Sequence, residues 1–280
     1  MIRSDNHVHT SFSSDSEEPL ERMLAQAVEN QFSSICITDH MDYDFPDMGN
    51  GMQFIFDPEA YLNAIAAARA KFPSLEIRQG VELGLKASAL PQASALLSNY
   101  SFDFVIGSTH LVDDEDPYYE SFWDGYEEND GILRYYENTL ANLQMGFDFD
   151  VYGHLDYILR YTPTMRRLGD DVFAKDAYLA DCTDQFMDIM EEIMRLIIAQ
   201  GRGIEINTAG WKYGLGHPHP HEKILARYRE LGGEILSVGS DAHQAEHLGY
   251  SFDQVPASLT QCGFRYYTEF ADRKPIMRSL

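Results

Sequence analysis

The chain has 280 residues, 44% hydrophobic and 24% charged, which supplies enough apolar material for a sizeable core and an ordinary charged content for a folded protein. With 45 acidic against 21 basic residues the formal net charge is -24, so most of the surface repels phosphate backbones, which argues against nucleic acid as a main partner. No apolar run approaches membrane-spanning length and the first residues lack a basic region followed by an apolar segment, so the expectation is a cytoplasmic protein with no membrane partner. Cys36, Cys182 and Cys262 are too few and scattered for a disulfide framework or a shared metal, and read as small buried hydrophobes.

In chain order, residues 2–7 read as a strand running into Asp5-Asn6-His7-Val8-His9. Side chains two apart on a strand point the same way, so His7 and His9 can converge on one ion, although an isolated pair is equally compatible with a structural role. Pro19 to Asn30 carries Leu20, Met23, Leu24, Ala27 and Val28 at helical spacing, and Ser34 to Ile37 is a strand that runs into Thr38-Asp39-His40. An alanine-rich helix over Ala60 to Ala70 precedes a strand from Leu75 to Val81, which ends at Glu82. Phe102 to Ile106 leads to Gly107-Ser108-Thr109-His110 and an acidic run, Asp113 to Asp116, that reads first as a solvated loop on the same face, with substrate contact as the minor alternative.

A helix over Leu133 to Leu143 is followed by a strand from Phe147 to Tyr152 that opens into Gly153-His154. The helix Phe186 to Gln200 stops at Gly201, and the strand Gly203 to Ile206 ends at Asn207-Thr208 with no obvious ligand. His217-Pro218-His219-Pro220-His221 looks metal-binding, yet its prolines hold an extended segment in which shared coordination is awkward; it reads as a rim loop. A helix over His221 to Leu231 stops at Gly232, and Glu234 to Val238 runs into Gly239-Ser240-Asp241-Ala242-His243. Trp123, Trp211 and the Tyr118-Tyr119 pair are candidates for a pocket wall or for core.

Seven short strands separated by helices are the pattern of a parallel α/β barrel, whose functional groups sit at the carboxyl ends of the strands. Six strand ends carry candidate ligands, which would then share one face. No internal repeat, low-complexity linker or composition break divides the chain, so one domain over residues 1–280 is expected.

The ordered set His7-x-His9-Thr10, Ser13-Ser14-Asp15-Ser16, Thr38-Asp39-His40, Gly80-Val81-Glu82, Gly107 to His110, Gly153 to Asp156 and Gly239 to His243 resembles the motifs of the polymerase and histidinol phosphatase (PHP) superfamily. His154-Leu155-Asp156 leading to Arg160-Tyr161, and Glu205-Ile206-Asn207-Thr208 with Gly210, are similar to its histidinol-phosphate phosphatase branch. The resemblance implies a distorted seven-stranded (β/α)7 TIM-like barrel that hydrolyses L-histidinol phosphate to L-histidinol and phosphate in histidine biosynthesis. It also implies two or three divalent ions, of zinc, iron or manganese: His7, His9, Glu82 and Asp241 at the first, Glu82, His110 and His154 at the second, and Asp15, His40 and His243 at the third. Relatives can carry histidine where this chain has Asp15.

Two ions that share Glu82 can activate water for in-line attack on phosphorus. Asp241 is then the candidate proton acceptor, and His243 or a metal-bound water the candidate donor to the leaving alcohol. Arg160, with its planar fork, suits the phosphate, and Asp42 is a candidate partner for the substrate's ammonium. Two other readings are a phosphoesterase for another small phosphate ester or a nucleotide, and a catalytically silent metal-binding module, against which the full ligand set counts. A barrel hydrolase acting on C–N bonds also begins with His-x-His, but it relies on a lysine-type bridge, and no motif strand end here carries lysine.

Overall fold

The computed structural model describes residues 2–49 and 51–280. Its strands are β1 (Ser4–Asp5), β2 (Ser34–Ile37), β3 (His40–Met41), β4 (Glu76–Gly84), β5 (Phe104–Ser108), β6 (Val151–Tyr152), β7 (Gly203–Asn207), β8 (Leu236–Gly239), β9 (Tyr266–Ala271) and β10 (Lys274–Ser279). Its α-helices are α1 (Leu20–Glu29), α2 (Pro58–Lys71), α3 (Leu90–Asn99), α4 (Glu128–Gln144), α5 (Pro163–Leu168), α6 (Val172–Gln185), α7 (Met187–Ala199), α8 (Ala209–Lys212), α9 (Glu222–Glu230) and α10 (Val255–Gln261). Seven strands run parallel in the order β1-β2-β4-β5-β6-β7-β8, and β3 adds beside β4 with His40 opposite Glu82. Bonds between the first and last strands close the ring. Asn6 N donates to Val238 O at 3.1 Å, Asp241 N donates to His7 O at 2.9 Å, and Val8 bridges to Ala242. The expected seven-stranded, nearly closed barrel is the observed fold.

The helices form where apolar spacing gives them a buried stripe. In α1, Leu20, Met23, Leu24 and Ala27 recur three and four apart and all are buried. Helix α2 begins at a proline after Asp57, whose carboxylate accepts from Glu59 N and Ala60 N and so satisfies two otherwise free donors. Among the described residues no helix is long and apolar enough to cross a membrane.

The sequence reading gave no role to the last fifteen residues, which form the antiparallel hairpin β9–β10. β9 packs under the amino end of the barrel: the Phe270 ring stacks on Phe104 at 4.8 Å, beside Cys36, Ile106 and Val151. Arg78 Nη1 donates to Glu269 Oε2 at 2.9 Å, and Leu236 N to Thr268 Oγ1 at 3.2 Å. Each buried aromatic there contributes on the order of 2 kcal/mol by leaving water. The hairpin therefore plugs the end away from the candidate ligands and leaves the other end open for a site. Strand β6 is shorter than the 147–152 expected, because the Asp150 carboxylate, and not a backbone carbonyl, accepts from Val105 N at 2.8 Å.

Candidate metal centre and active site

Glu82, fully buried on β4, is the hub of the open end. Its Oε2 lies 3.2 Å from His7 Nε2, 3.5 Å from His9 Nε2 and 3.0 Å from His40 Nδ1. Its Oε1 lies 3.2 Å from His110 Nε2 and 3.0 Å from His154 Nε2. Asp241 Oδ1 stands 3.4 Å from His9 Nε2 and 3.8 Å from His7 Nε2, while Asp15 Oδ2 is 3.2 Å from His243 Nε2 and 3.6 Å from His40 Nε2. All nine expected ligand residues are thus gathered at one end of the barrel.

The hydrogen bonds behind these rings decide which nitrogens are free. His7 Nδ1 gives its proton to Glu205 Oε1 at 2.7 Å, and His110 Nδ1 gives its own to Asp42 Oδ1 at 2.7 Å. The Ser13 hydroxyl donates to Asp39 Oδ1 at 2.6 Å, so Ser13 Oγ accepts from His9 Nδ1 at 3.0 Å. Each ring therefore presents an Nε2 lone pair towards a carboxylate oxygen, which is repulsive unless a cation stands between them. His7 Nε2, His9 Nε2, His40 Nδ1 and Glu82 Oε2 are all buried with no hydrogen-bond partner. Ligands about 2.0–2.1 Å from a tetrahedral zinc are about 3.3 Å from one another, the range of separations found here. The residues fit a cluster of divalent ions.

The charge balance agrees. Burial favours neutral His7, yet Glu205, Glu82 and Asp241 together raise its pKa well above the ordinary value. Burial likewise opposes an ionised Glu82, but His7, His110 and His40 hold its carboxyl well below the usual range. Such groups call for shared positive charge at their centre.

Two ligand residues have left-handed backbone, His154 with φ 23° and Asp241 with φ 54°. Strain of this kind persists where the surroundings over-determine it. For His154 the backbone N–H donates to Glu205 Oε2 at 3.1 Å, and for Asp241 the side-chain Oδ2 accepts from Asn207 Nδ2 at 3.3 Å. Gly239 must lack a side chain, since a Cβ would lie 2.3 Å from His7 Cβ and 2.4 Å from Glu205 Oε1.

The PHP domain model matches residues 5–209. The chain belongs to the PHP family. It is 26% identical over 276 residues to the histidinol-phosphatase of Lactococcus lactis, covering 98% of this chain and 96% of that one. A Clostridium acetobutylicum protein named "Probable histidinol-phosphatase" is 28% identical over 264 residues, covering 93% and 94%. The crystal structure of the Lactococcus lactis histidinol phosphate phosphatase, complexed with zinc, L-histidinol and phosphate, superposes with a TM-score of 0.84 at 24% identity over 98% of both chains. Asp241 and His243 lie beyond the matched PHP segment, on the strand end that closes the ring.

Around this PHP centre lies a cleft of about 480 Å³, lined by acids, histidines and tyrosines. Arg160 lies in its wall with no carboxylate partner among the described residues. Its guanidinium rests against the rings of Tyr213, Tyr161 and Tyr157 at 4.3, 4.6 and 4.9 Å and donates to Tyr161 Oη. Asp42 lines the cleft but both its oxygens face imidazole nitrogens, His110 Nδ1 at 2.7 Å and His40 Nδ1 at 3.4 Å, a poorer position for meeting an ammonium than the sequence implied.

Sequence reasoning missed three supports. Glu205 was noted only as part of a motif, whereas its two oxygens serve His7, His154 N and Asn207 Nδ2. Asp39 accepts from Thr10 N, Thr10 Oγ1 and Ser13 Oγ, and so fixes the turn that carries His9. Asp156 binds His219 Nδ1 at 2.5 Å and His221 N at 2.9 Å. That last pair corrects the rim-loop expectation: His217 and His219 are 1% exposed and His221 8%, because a buried carboxylate draws the tract inward. Tyr118 and Tyr119 do line the cleft, whereas Trp123 is core, its indole N–H donating to Pro117 O at 3.1 Å.

Proposed function

We propose that this protein is a metal-dependent phosphomonoesterase that hydrolyses L-histidinol phosphate to L-histidinol and phosphate, acting in the cytoplasm in histidine biosynthesis, with residues 1–280 as one catalytic domain. The observation that carries the reading is the Glu82 carboxylate, both of whose oxygens face imidazole nitrogens at the floor of a cleft that also holds an arginine without a carboxylate partner. The relatives named histidinol-phosphatase, matched over more than nine-tenths of both chains, supply the substrate.

His7, His9, Glu82 and Asp241 would hold a first ion, Glu82, His110 and His154 a second, and Asp15, His40 and His243 a third. Bound divalent ions, of zinc, iron or manganese, would lower the pKa of water and neutralise phosphoryl oxygens. Arg160 receives the phosphate with its fork, and the tyrosines around it exclude water and strengthen that contact. Asp241 is 14% exposed and faces the cleft, placed to take the proton of the attacking water. His243 turns Nδ1 to Asp241 O and Nε2 to Asp15 and serves as a ligand, so the leaving alcohol would take its proton from a metal-bound water. The net charge of -24 disfavours polynucleotide substrates.

Phosphate release from a panel of phosphomonoesters, with and without added zinc or manganese, tests the proposal. L-Histidinol phosphate should give the highest kcat/KM, and chelation should abolish turnover. A tenfold preference for another ester overturns the substrate, and a metal-loaded protein that releases phosphate from none of them is a silent module.

A further inference from the structure

Four acids line the cleft, Asp15, Asp42, Asp116 and Asp241. Asp15, Asp42 and Asp241 each lie within ion-pair distance of histidine nitrogens, whereas Asp116 forms no ion pair among the described residues. Its neighbours in the acidic run are neutralised outside the cleft. Asp113 and Glu115 meet Arg134 at 2.9 and 3.1 Å, and Asp114 meets Lys86. A tight turn separates them: Val112 and Glu115 exchange both backbone hydrogen bonds at 2.9 Å, with Asp113 and Asp114 at φ 49° and 69°. Asp116 follows that turn. Its Oδ1 accepts from Tyr118 N at 2.8 Å and its carbonyl from Tyr119 N at 3.1 Å, which leaves Oδ2 free on a fixed loop. Asp116 lines the same cleft wall as Arg160 and His110, and burial raises its pKa while the Tyr118 N–H, His110 and Arg160 offset that only in part.

We propose that Asp116 is the residue that reads the substrate's ammonium, its free Oδ2 accepting a charge-assisted hydrogen bond from the amine one carbon away from the phosphoester carbon. This rests on the L-histidinol phosphate reading above and assigns to Asp116 a contact for which the sequence offers Asp42 and the run Asp113 to Asp116. A carboxylate paired only by substrate rejects analogues that lack the amine, because they leave it buried and unpaired.

The test compares L-histidinol phosphate with 3-(imidazol-4-yl)propyl phosphate, which lacks only the amine, on the metal-loaded enzyme and on Asp116→Asn. The ratio of the two kcat/KM values should favour the amine in the wild type and fall on the order of 10- to 100-fold in the variant. A ratio unchanged in Asp116→Asn overturns the proposal, as does a wild type that hydrolyses both esters equally well. If the variant is too unstable to assay, Asp116→Ser serves in its place, and a ratio unchanged there also overturns the proposal. A wild type that hydrolyses other monoesters but not L-histidinol phosphate removes the substrate reading itself, and this assignment with it.

Discussion

Two groups of histidines gather in this barrel, and only one is built for metal. His7, His9, His40, His110, His154 and His243 come from five strand ends and turn ring nitrogens towards Glu82, Asp241 and Asp15. His217, His219 and His221 lie on one extended stretch, as dense in histidine as any segment of the chain, yet among the described residues they form no trio whose ligand atoms converge. His217 and His219 meet edge to face with centroids 6.4 Å apart, His219 turns Nδ1 to Asp156, and burial pushes the His217 pKa down to about 4. Convergence from different elements on a shared carboxylate, and not the density of imidazoles, makes a metal centre.

Removing the shared carboxylate is the severest test of that contrast. Elemental analysis of protein purified without chelator should find more than one ion per chain. Glu82→Ala should retain at most one and lose turnover on the order of 1000-fold or more, because the charge of Glu82 is common to two positions. A wild type fully active with a single ion, or a Glu82→Ala variant that keeps its metals, would make the two histidine groups less different than they look.

Arg160→Ala separates the substrate from the metals. The arginine touches tyrosine rings and no ligand, so metal content should stay constant while kcat/KM falls by roughly 2 to 4 kcal/mol, tens- to several-hundred-fold. Unaltered kinetics would remove it from the site.

A smaller effect should follow in Glu205→Gln, and it sharpens the comparison by showing what the metal histidines need behind them. Oε1 accepts from His7 Nδ1, and Oε2 accepts from His154 N and Asn207 Nδ2. A glutamine must turn its NH2 towards one set of these donors whichever way it lies. The expected outcome is a loss of roughly 10- to 100-fold in metal affinity, read by competition with a chromophoric chelator. Unchanged affinity would mean that His7 needs no such support.

The same contrast explains what could be read in the sequence. Strand ends were legible because β-branched runs stop at polar turns, and a ligand such as His154 or Asp241 falls two residues past the end of its strand. The hub was legible too, since Glu82 is the one polar residue in the stretch Gly80 to Leu85. What was hidden are partners that meet only in space. Glu205 reaches His7 across 198 positions, and Asp156 reaches His219 across 63, and no local spacing records either. The hairpin β9–β10 was missed for a related reason: its residues alternate weakly and gain their apolar contacts only under an assembled barrel. Asp42 looked free because the sequence does not record that His40 and His110 both turn a nitrogen to it.

The mildest test for catalysis addresses the second histidine group. His219→Ala should leave metal content unchanged and kcat/KM within about threefold, because its ring points at Asp156 and its backbone, which pairs with Asn207, is kept. Stability should suffer instead. Burial alone would raise the pKa of Asp156, but His219 is the chief group that holds it below the ordinary value of 3.8. A carboxyl with a depressed folded pKa contributes stability above its unfolded pKa and loses that contribution as pH falls through the folded value. Removing the imidazole strands a buried carboxylate, at a cost on the order of 3 kcal/mol near neutral pH. The gap in Tm between variant and wild type should therefore be widest near neutrality and narrow as pH falls towards 4, because burial without the imidazole raises the Asp156 pKa in the variant, and the protonated carboxyl no longer needs a partner. A gap that does not change between pH 7 and pH 4 would show that His219 acts through packing alone, and metal loss in this variant would join the two histidine groups into one site.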